Sequence, residues 1–120
     1  MIIPGSLLTP GDTDLTCWKI IELDRLDGRP GAERHIFGWV QTEFLWRISS
    51  EILEDAQDFV RTKSRRYFKR GPEEEFLSLE AAVNLSDFLA CWGMSEQAVQ
   101  TVLDRVYKSG SYIEKEESDV

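Results

Sequence analysis

The chain is short of nearly everything that marks catalytic chemistry. Its 120 residues include one histidine, His35, and two cysteines, Cys17 and Cys91. A metal centre of Cys and His needs several ligands at close spacing, and none of these three has a partner at that distance in sequence. A disulfide framework calls for more cysteines in a shorter secreted chain. Each cysteine precedes a tryptophan in an apolar run, so both are expected as reduced core residues in a reducing compartment. No serine or cysteine sits in a nucleophile-elbow context that would recruit His35 as a base, and a partly exposed strand histidine is the expectation. No cofactor motif is present, and neither a cofactor nor enzymatic activity is expected.

Long apolar runs are also missing. None approaches the roughly 20 residues that span a bilayer, and Met1-Ile2-Ile3-Pro4-Gly5 lacks the positive region of a secretory signal. The expectation is a cytoplasmic protein with no membrane partner.

Positive charge is in deficit as well. Fourteen Lys and Arg face 22 Asp and Glu, for a formal net charge of −8. That sign repels nucleic acid and anionic lipid at long range and favours basic protein partners. What the chain does have is core material. The hydrophobic fraction is 42%, with four Trp, six Phe and three Tyr, which excludes general disorder. Its length fits one domain.

The expected organisation is an extended N-terminal arm (1–14), one α+β domain (15–113) and an acidic disordered tail (114–120). The domain is β-rich over 15–71 and helical over 73–109. Residues 15–24 are rich in β-formers, with Cys17, Lys19, Ile21 and Leu23 on one face and Trp18 and Ile20 on the other. Asp27-Gly28-Arg29-Pro30-Gly31 is a turn signal, and residues 34–42 form the returning strand of a hairpin. Residues 43–50 read as a third strand with Phe44, Trp46 and Ile48 on one face, and 51–57 as a turn or short helix. Strands at 58–62 and 65–70 flank a turn at Lys63-Ser64, and Gly71-Pro72 ends them.

Then the period changes. Glu73 to Glu75 open a helical pattern, and Ser78 is placed as an N-cap. Leu79, Ala82, Val83, Leu85, Phe88, Leu89 and Trp92 make an apolar stripe that Gly93 closes. Ser95 caps a second helix whose buried face is Ala98, Val99, Val102, Leu103 and Val106. Tyr112-Ile113 adds a short strand.

The predicted fold class is therefore α+β. A small curved antiparallel sheet of four or five strands, tending toward a barrel, is followed by a C-terminal two-helix hairpin. The expected core is Trp18, Ile20, Ile36, Trp39, Phe44, Trp46, Phe59, Tyr67, Leu85, Phe88, Leu89, Val99 and Leu103.

The candidate binding surface is basic. Arg61, Lys63, Arg65, Arg66, Lys69 and Arg70 fall within ten positions that hold no acid, and Tyr67 and Phe68 lie among them. Cations interleaved with aromatics on a strand suit single-stranded nucleic acid, or an acidic partner segment. Two plainer roles compete: edge-strand lysines and arginines that prevent aggregation, and pairing with the chain's own acids. Alternation also splits the cluster, with Arg65, Tyr67 and Lys69 facing one way and Arg66, Phe68 and Arg70 the other.

Residues 88–105 resemble a helix-turn-helix, with Trp92 before the turn glycine and Met94 after it. Their second helix offers Glu96, Gln97, Gln100, Thr101 and Asp104, with no cation before Arg105, so it lacks the phosphate contacts that binding DNA requires. The acidic clusters, Glu54-Asp55 with Asp58, Glu73 to Glu75, and Glu114 to Asp119, lack calcium-loop spacing and are expected as solvated surface. The leading expectation is a non-enzymatic acidic protein acting through contacts with a protein partner or a second copy of itself. A nucleic-acid module using 61–70 comes next, then an acidic DNA mimic that occupies a partner's basic groove.

Overall fold

A computed structural model describes residues 11–108 of the chain. Its elements run β1 (Thr13–Asp24), β2 (Ala32–Val40), β3 (Leu45–Ile48), β4 (Glu54–Asp55), β5 (Phe59–Arg61), β6 (Arg66–Lys69), α1 (Leu79–Cys91) and α2 (Glu96–Val106). The six strands form one sheet in the order β3-β2-β1-β6-β5-β4. All neighbours are antiparallel except β1 and β6, which run parallel through Thr13–Tyr67, Asp14–Phe68 and Leu15–Lys69. The α+β class is as expected, but the sheet has six strands and is not closed.

Two segments account for the difference. Residues 51–57, expected as a turn or helix, contribute β4, which pairs with β5. Thr13 and Asp14, expected in the arm, begin β1 and dock on β6. The β1–β6 pairing joins distant parts of the chain, so local propensity carries no sign of it, and β4 is only two residues long, too short to show an alternating pattern. Residues 1–10 of the arm, the Tyr112-Ile113 strand and the acidic tail lie outside the described residues.

The chain divides into two compact units, Met1–Glu74 and Glu75–Val120. In the first, a bulge organises the core. The β1–β2 register slips between Thr16 and Lys19, and Cys17 takes a left-handed backbone (φ 50°). A regular strand would put Leu15 on the face of Cys17 and Lys19. The bulge turns Cys17 outward instead and brings Leu15 and Trp18 into one cluster with Ile36, Val40, Val60 and Tyr67. Cys17 is thus exposed rather than in the core, and Cys91 is exposed as well; both are free thiols.

Gly38 makes room for this bulge. A Cβ built there would stand 3.1 Å from both Leu15 Cβ and the Thr16 carbonyl oxygen, and 3.2 Å from Trp18 Cβ. Ile21, Leu23 and Phe37, on the other parity of their strands, are also buried. They were absent from the expected core because both sides of the β1–β2 hairpin are shielded, so alternation does not separate inside from outside.

In the second unit each helix has its predicted cap. Ser78 Oγ accepts from the Ala81 N–H and Ser95 Oγ from the Ala98 N–H, both at 3.1 Å. Gly93, with φ 88°, makes the turn. Ala81, Ala82, Leu85 and Leu89 of α1 are buried, as are Val99, Val102 and Val106 of α2. Leu79 and Val83, placed in the predicted stripe, are 51% and 52% exposed.

The three glutamates 73–75 precede the helix rather than opening it. The first two belong to the sheet unit: a Glu73 carboxylate oxygen accepts from the Ile20 N–H, and the Glu74 N–H donates to the Trp18 carbonyl. Among the described residues no helix is long and apolar enough to cross a membrane.

Candidate functional site

The basic segment forms β5, its turn and β6, and its cations are largely spent within the sheet unit. Arg61 Nε donates to Glu54 at 3.0 Å, Arg66 to Asp12 at 2.7 Å, Lys69 to Asp55 at 2.7 Å and Arg70 to Asp14 at 2.7 Å. Arg65 donates to Thr13 Oγ1 at 3.0 Å. Lys63 is exposed at the turn, and Tyr67 is buried.

The predicted alternation holds. Arg66 lies over Phe59 and Phe68, and Arg70 over Phe68, on one face. Lys69 turns the other way, its Nζ 5.2 Å from the centre of the Trp18 ring and hydrogen-bonded to the Ala56 carbonyl. Only 11% of its side chain is exposed. Burial pushes the Asp55 carboxyl up, but Lys69 and Arg34 outweigh that and hold it below its ordinary value. The hydrogen bond to Asp12, whose side chain is 4% exposed, holds the Arg66 guanidinium above its ordinary range. These cations brace β1, β4 and β6 against one another.

The lone histidine is not partly exposed. His35 is 2% accessible, beside Glu33 on the same face of β2. Its Nδ1 donates to the Ser49 carbonyl at 2.7 Å, and one proton lies in the 2.7 Å contact between Nε2 and Glu33 Oε2. The other Glu33 oxygen accepts from the Leu26 N–H. A histidine, a carboxylate and a serine do converge here, but not as a nucleophilic triad. The Ser49 hydroxyl donates to the Ser50 carbonyl and accepts from the Ile36 N–H. Ser49 is fully buried, and the group ties the β2–β3 edge together.

The helix-turn-helix stretch forms the expected hairpin. The outward residues of α2, Glu96, Gln97, Gln100, Thr101 and Asp104, meet no phosphate-binding cation among themselves. Among the described residues no three of His, Cys, Asp and Glu gather as metal ligands.

The feature that sequence reasoning missed is the tip of the β2–β3 hairpin. Phe44, expected in the core, is 73% exposed, and its backbone is left-handed with φ 53°. The strands reach their last pair at Val40–Leu45, leaving residues 41–44 as the loop. The Glu43 N–H donates to the Val40 carbonyl at 3.1 Å, and Phe44 then returns the chain to β3. Glycine or asparagine suits such a position, since an ordinary L-residue there costs roughly 1–2 kcal/mol.

Behind Phe44 stands a ladder of rings. Trp39 meets Phe44 edge-on at 6.4 Å and Trp46 edge-on at 5.3 Å, and Trp46 stacks on the buried Phe37 at 5.3 Å. Trp39 Nε1 donates to Gln41 Oε1 at 2.9 Å. Leu45 is part of the same exposed surface, on the outermost strand of the sheet. One signal in the sequence marked the loop: Gln41-Thr42-Glu43 is a polar interruption between two apolar runs, without the glycine that usually flags a hairpin. No protein-family model, no curated protein and no solved structure matches this chain.

Proposed function

We propose that this protein works by protein–protein contact, without chemistry of its own, and that the β2–β3 tip is its contact surface. One observation carries the reading. A large aromatic side chain is held in water, at a backbone position that disfavours it, by a ladder of rings that fixes its orientation. Folding gains little from that arrangement, and backbone strain of this kind concentrates at functional sites. Binding gains a good deal: Trp and aromatic anchors dominate interface energetics, and a preorganised ring loses little entropy on docking.

The basic strand supports this reading over nucleic acid. Four of its six cations already meet carboxylates, which leaves fewer of them free to neutralise phosphates and release counterions. The same pairing removes carboxylates that a DNA mimic would display. Enclosure of His35 and Ser49 speaks against hydrolytic chemistry at that cluster.

The test compares wild type with Phe44→Asn in affinity capture from extracts of the source cells and in sedimentation velocity. Partners, or a self-associated species, present with wild type and lost with Phe44→Asn are the expected result. Identical recoveries for both proteins would remove the tip from the proposal. Labelled oligonucleotides are expected to show no anisotropy change at physiological salt. Salt-sensitive binding lost in Lys63→Ala/Arg65→Ala would restore the basic segment as the site.

A further inference from the structure

A second surface stands on the helical unit and rests on separate observations. Leu79 and Val83 of α1 face Leu103 of α2 and Tyr107 just beyond it across an open groove of about 270 Å³. On each helix the lining residues recur three and four positions apart, so the groove runs along the hairpin. Its size lies just under the ~300–1,000 Å³ typical of small-molecule pockets, and suits a protruding side chain better than a metabolite. Half the surface of Leu79 and Val83 is in water although apolar neighbours stand beside them.

The charge around the groove points to what fills it. Asp87 and Asp104 stand in its wall, and among the described residues no lysine or arginine lines it. In the sheet unit Asp12, Asp14, Glu54 and Asp55 are each met by a cation. Among the described residues Asp104 has only the Gln100 amide, at 2.8 Å, and neither groove aspartate meets a cation. The chain's own tail is a poor occupant, because residues 114–120 hold four acids and one lysine. We infer that this groove docks a basic amphipathic helix of a partner protein, whose apolar side chains at i, i+3/i+4 and i+7 enter between α1 and α2 while its Lys and Arg reach Asp87 and Asp104.

The test uses the full chain and a fluorescent synthetic helix of about 18 residues, roughly five turns, with Leu at those spacings and Lys elsewhere. A matched peptide carries Glu in place of Lys. The Lys peptide is expected to bind saturably at one site, and the Glu peptide not at all. Asp87→Asn/Asp104→Asn is expected to weaken binding about fivefold, the contribution of two exposed ion pairs. Val83→Arg, an exposed helical site that tolerates arginine in the fold, is expected to abolish it.

Asp24→Asn/Asp58→Asn removes the same charge from the sheet unit and is expected to change nothing, as is Phe44→Asn, which separates this surface from the hairpin tip. Equal weakening by the two aspartate pairs would reduce the effect to bulk attraction and overturn the inference. So would binding of the Glu peptide, absence of binding, or a dimer in sedimentation velocity that Val83→Arg dissolves, which would assign the groove to a second copy of the chain.

Discussion

Replacing Phe44 with asparagine is expected to leave the protein as stable as wild type or slightly more so. The left-handed backbone at Phe44, φ 53°, costs an ordinary L-residue roughly 1–2 kcal/mol, and asparagine escapes most of that. Against this stands the packing that is lost. With the residue 73% exposed, only about a quarter of the ~1.5–3 kcal/mol of a fully buried ring is at stake, about 0.4–0.8 kcal/mol. The edge contact with Trp39 at 6.4 Å adds about 0.5 kcal/mol.

The two sides nearly cancel, so the expected change lies between zero and ~1 kcal/mol of stabilisation, at most a few degrees in Tm. A ring that held the core would instead lose ~3–5 kcal/mol. Urea unfolding followed by tryptophan fluorescence reads the difference directly, as a shift in midpoint at constant slope. A loss of more than about 1 kcal/mol would show that Phe44 serves the fold, and the argument for a contact surface would fall with it.

Three further outcomes follow from the sheet unit. Gly38→Ala is expected to destabilise by about 1–3 kcal/mol, because its Cβ would press on the Thr16 carbonyl and two packed side chains at 3.1–3.2 Å; an unchanged urea midpoint would show that the bulge yields freely. Glu33→Leu or His35→Leu alone is expected to cost about 3–5 kcal/mol by leaving its buried partner uncompensated, and the double variant clearly less than the sum, which a double-mutant cycle measures.

Asp55 governs part of the acid response. Its folded carboxyl titrates below the ordinary value of 3.8, so the unfolded chain takes up the proton first as pH falls. Stability from this group is therefore complete above the unfolded value and lost as pH drops through the lower folded one. Asp55→Asn is expected to be weaker near neutral pH and to show a shallower loss of stability below about pH 4, read from urea midpoints across pH. An acid limb as steep as wild type would refute the role of the Lys69 and Arg34 pairs.

The ion pairs also account for four of the six cations that a strongly acidic chain concentrates in one strand pair. β4 is two residues long and β5 three, too short to be held by ladder hydrogen bonds alone. Arg61, Arg66, Lys69 and Arg70 tie this short-stranded edge to Glu54, Asp12, Asp55 and Asp14. Exposed pairs such as Arg61–Glu54 contribute little singly. The shielded ones, Lys69–Asp55 and Arg66–Asp12, set how the strands meet.

Much of the architecture was legible in the sequence because its causes are local. The α+β class, the helix caps at Ser78 and Ser95, the Gly93 turn and the Lys63-Ser64 turn all follow from capping chemistry, backbone freedom and hydrophobic period. The opposite faces of Arg66 and Lys69 follow from strand alternation. What only the tertiary structure decided depends on residues far apart in the chain. Cys17 points outward because a bulge opposite Gly38 brings Leu15 and Trp18 to the same side. His35 is buried because Glu33 and the Ser49 carbonyl take both ring nitrogens. The basic strand is mostly neutral in effect because Asp12, Asp14 of β1 and both acids of β4 are folded against it. Phe44 reads as core by composition and stands in water because the β2–β3 register ends one residue after it, and register is a property of two strands together.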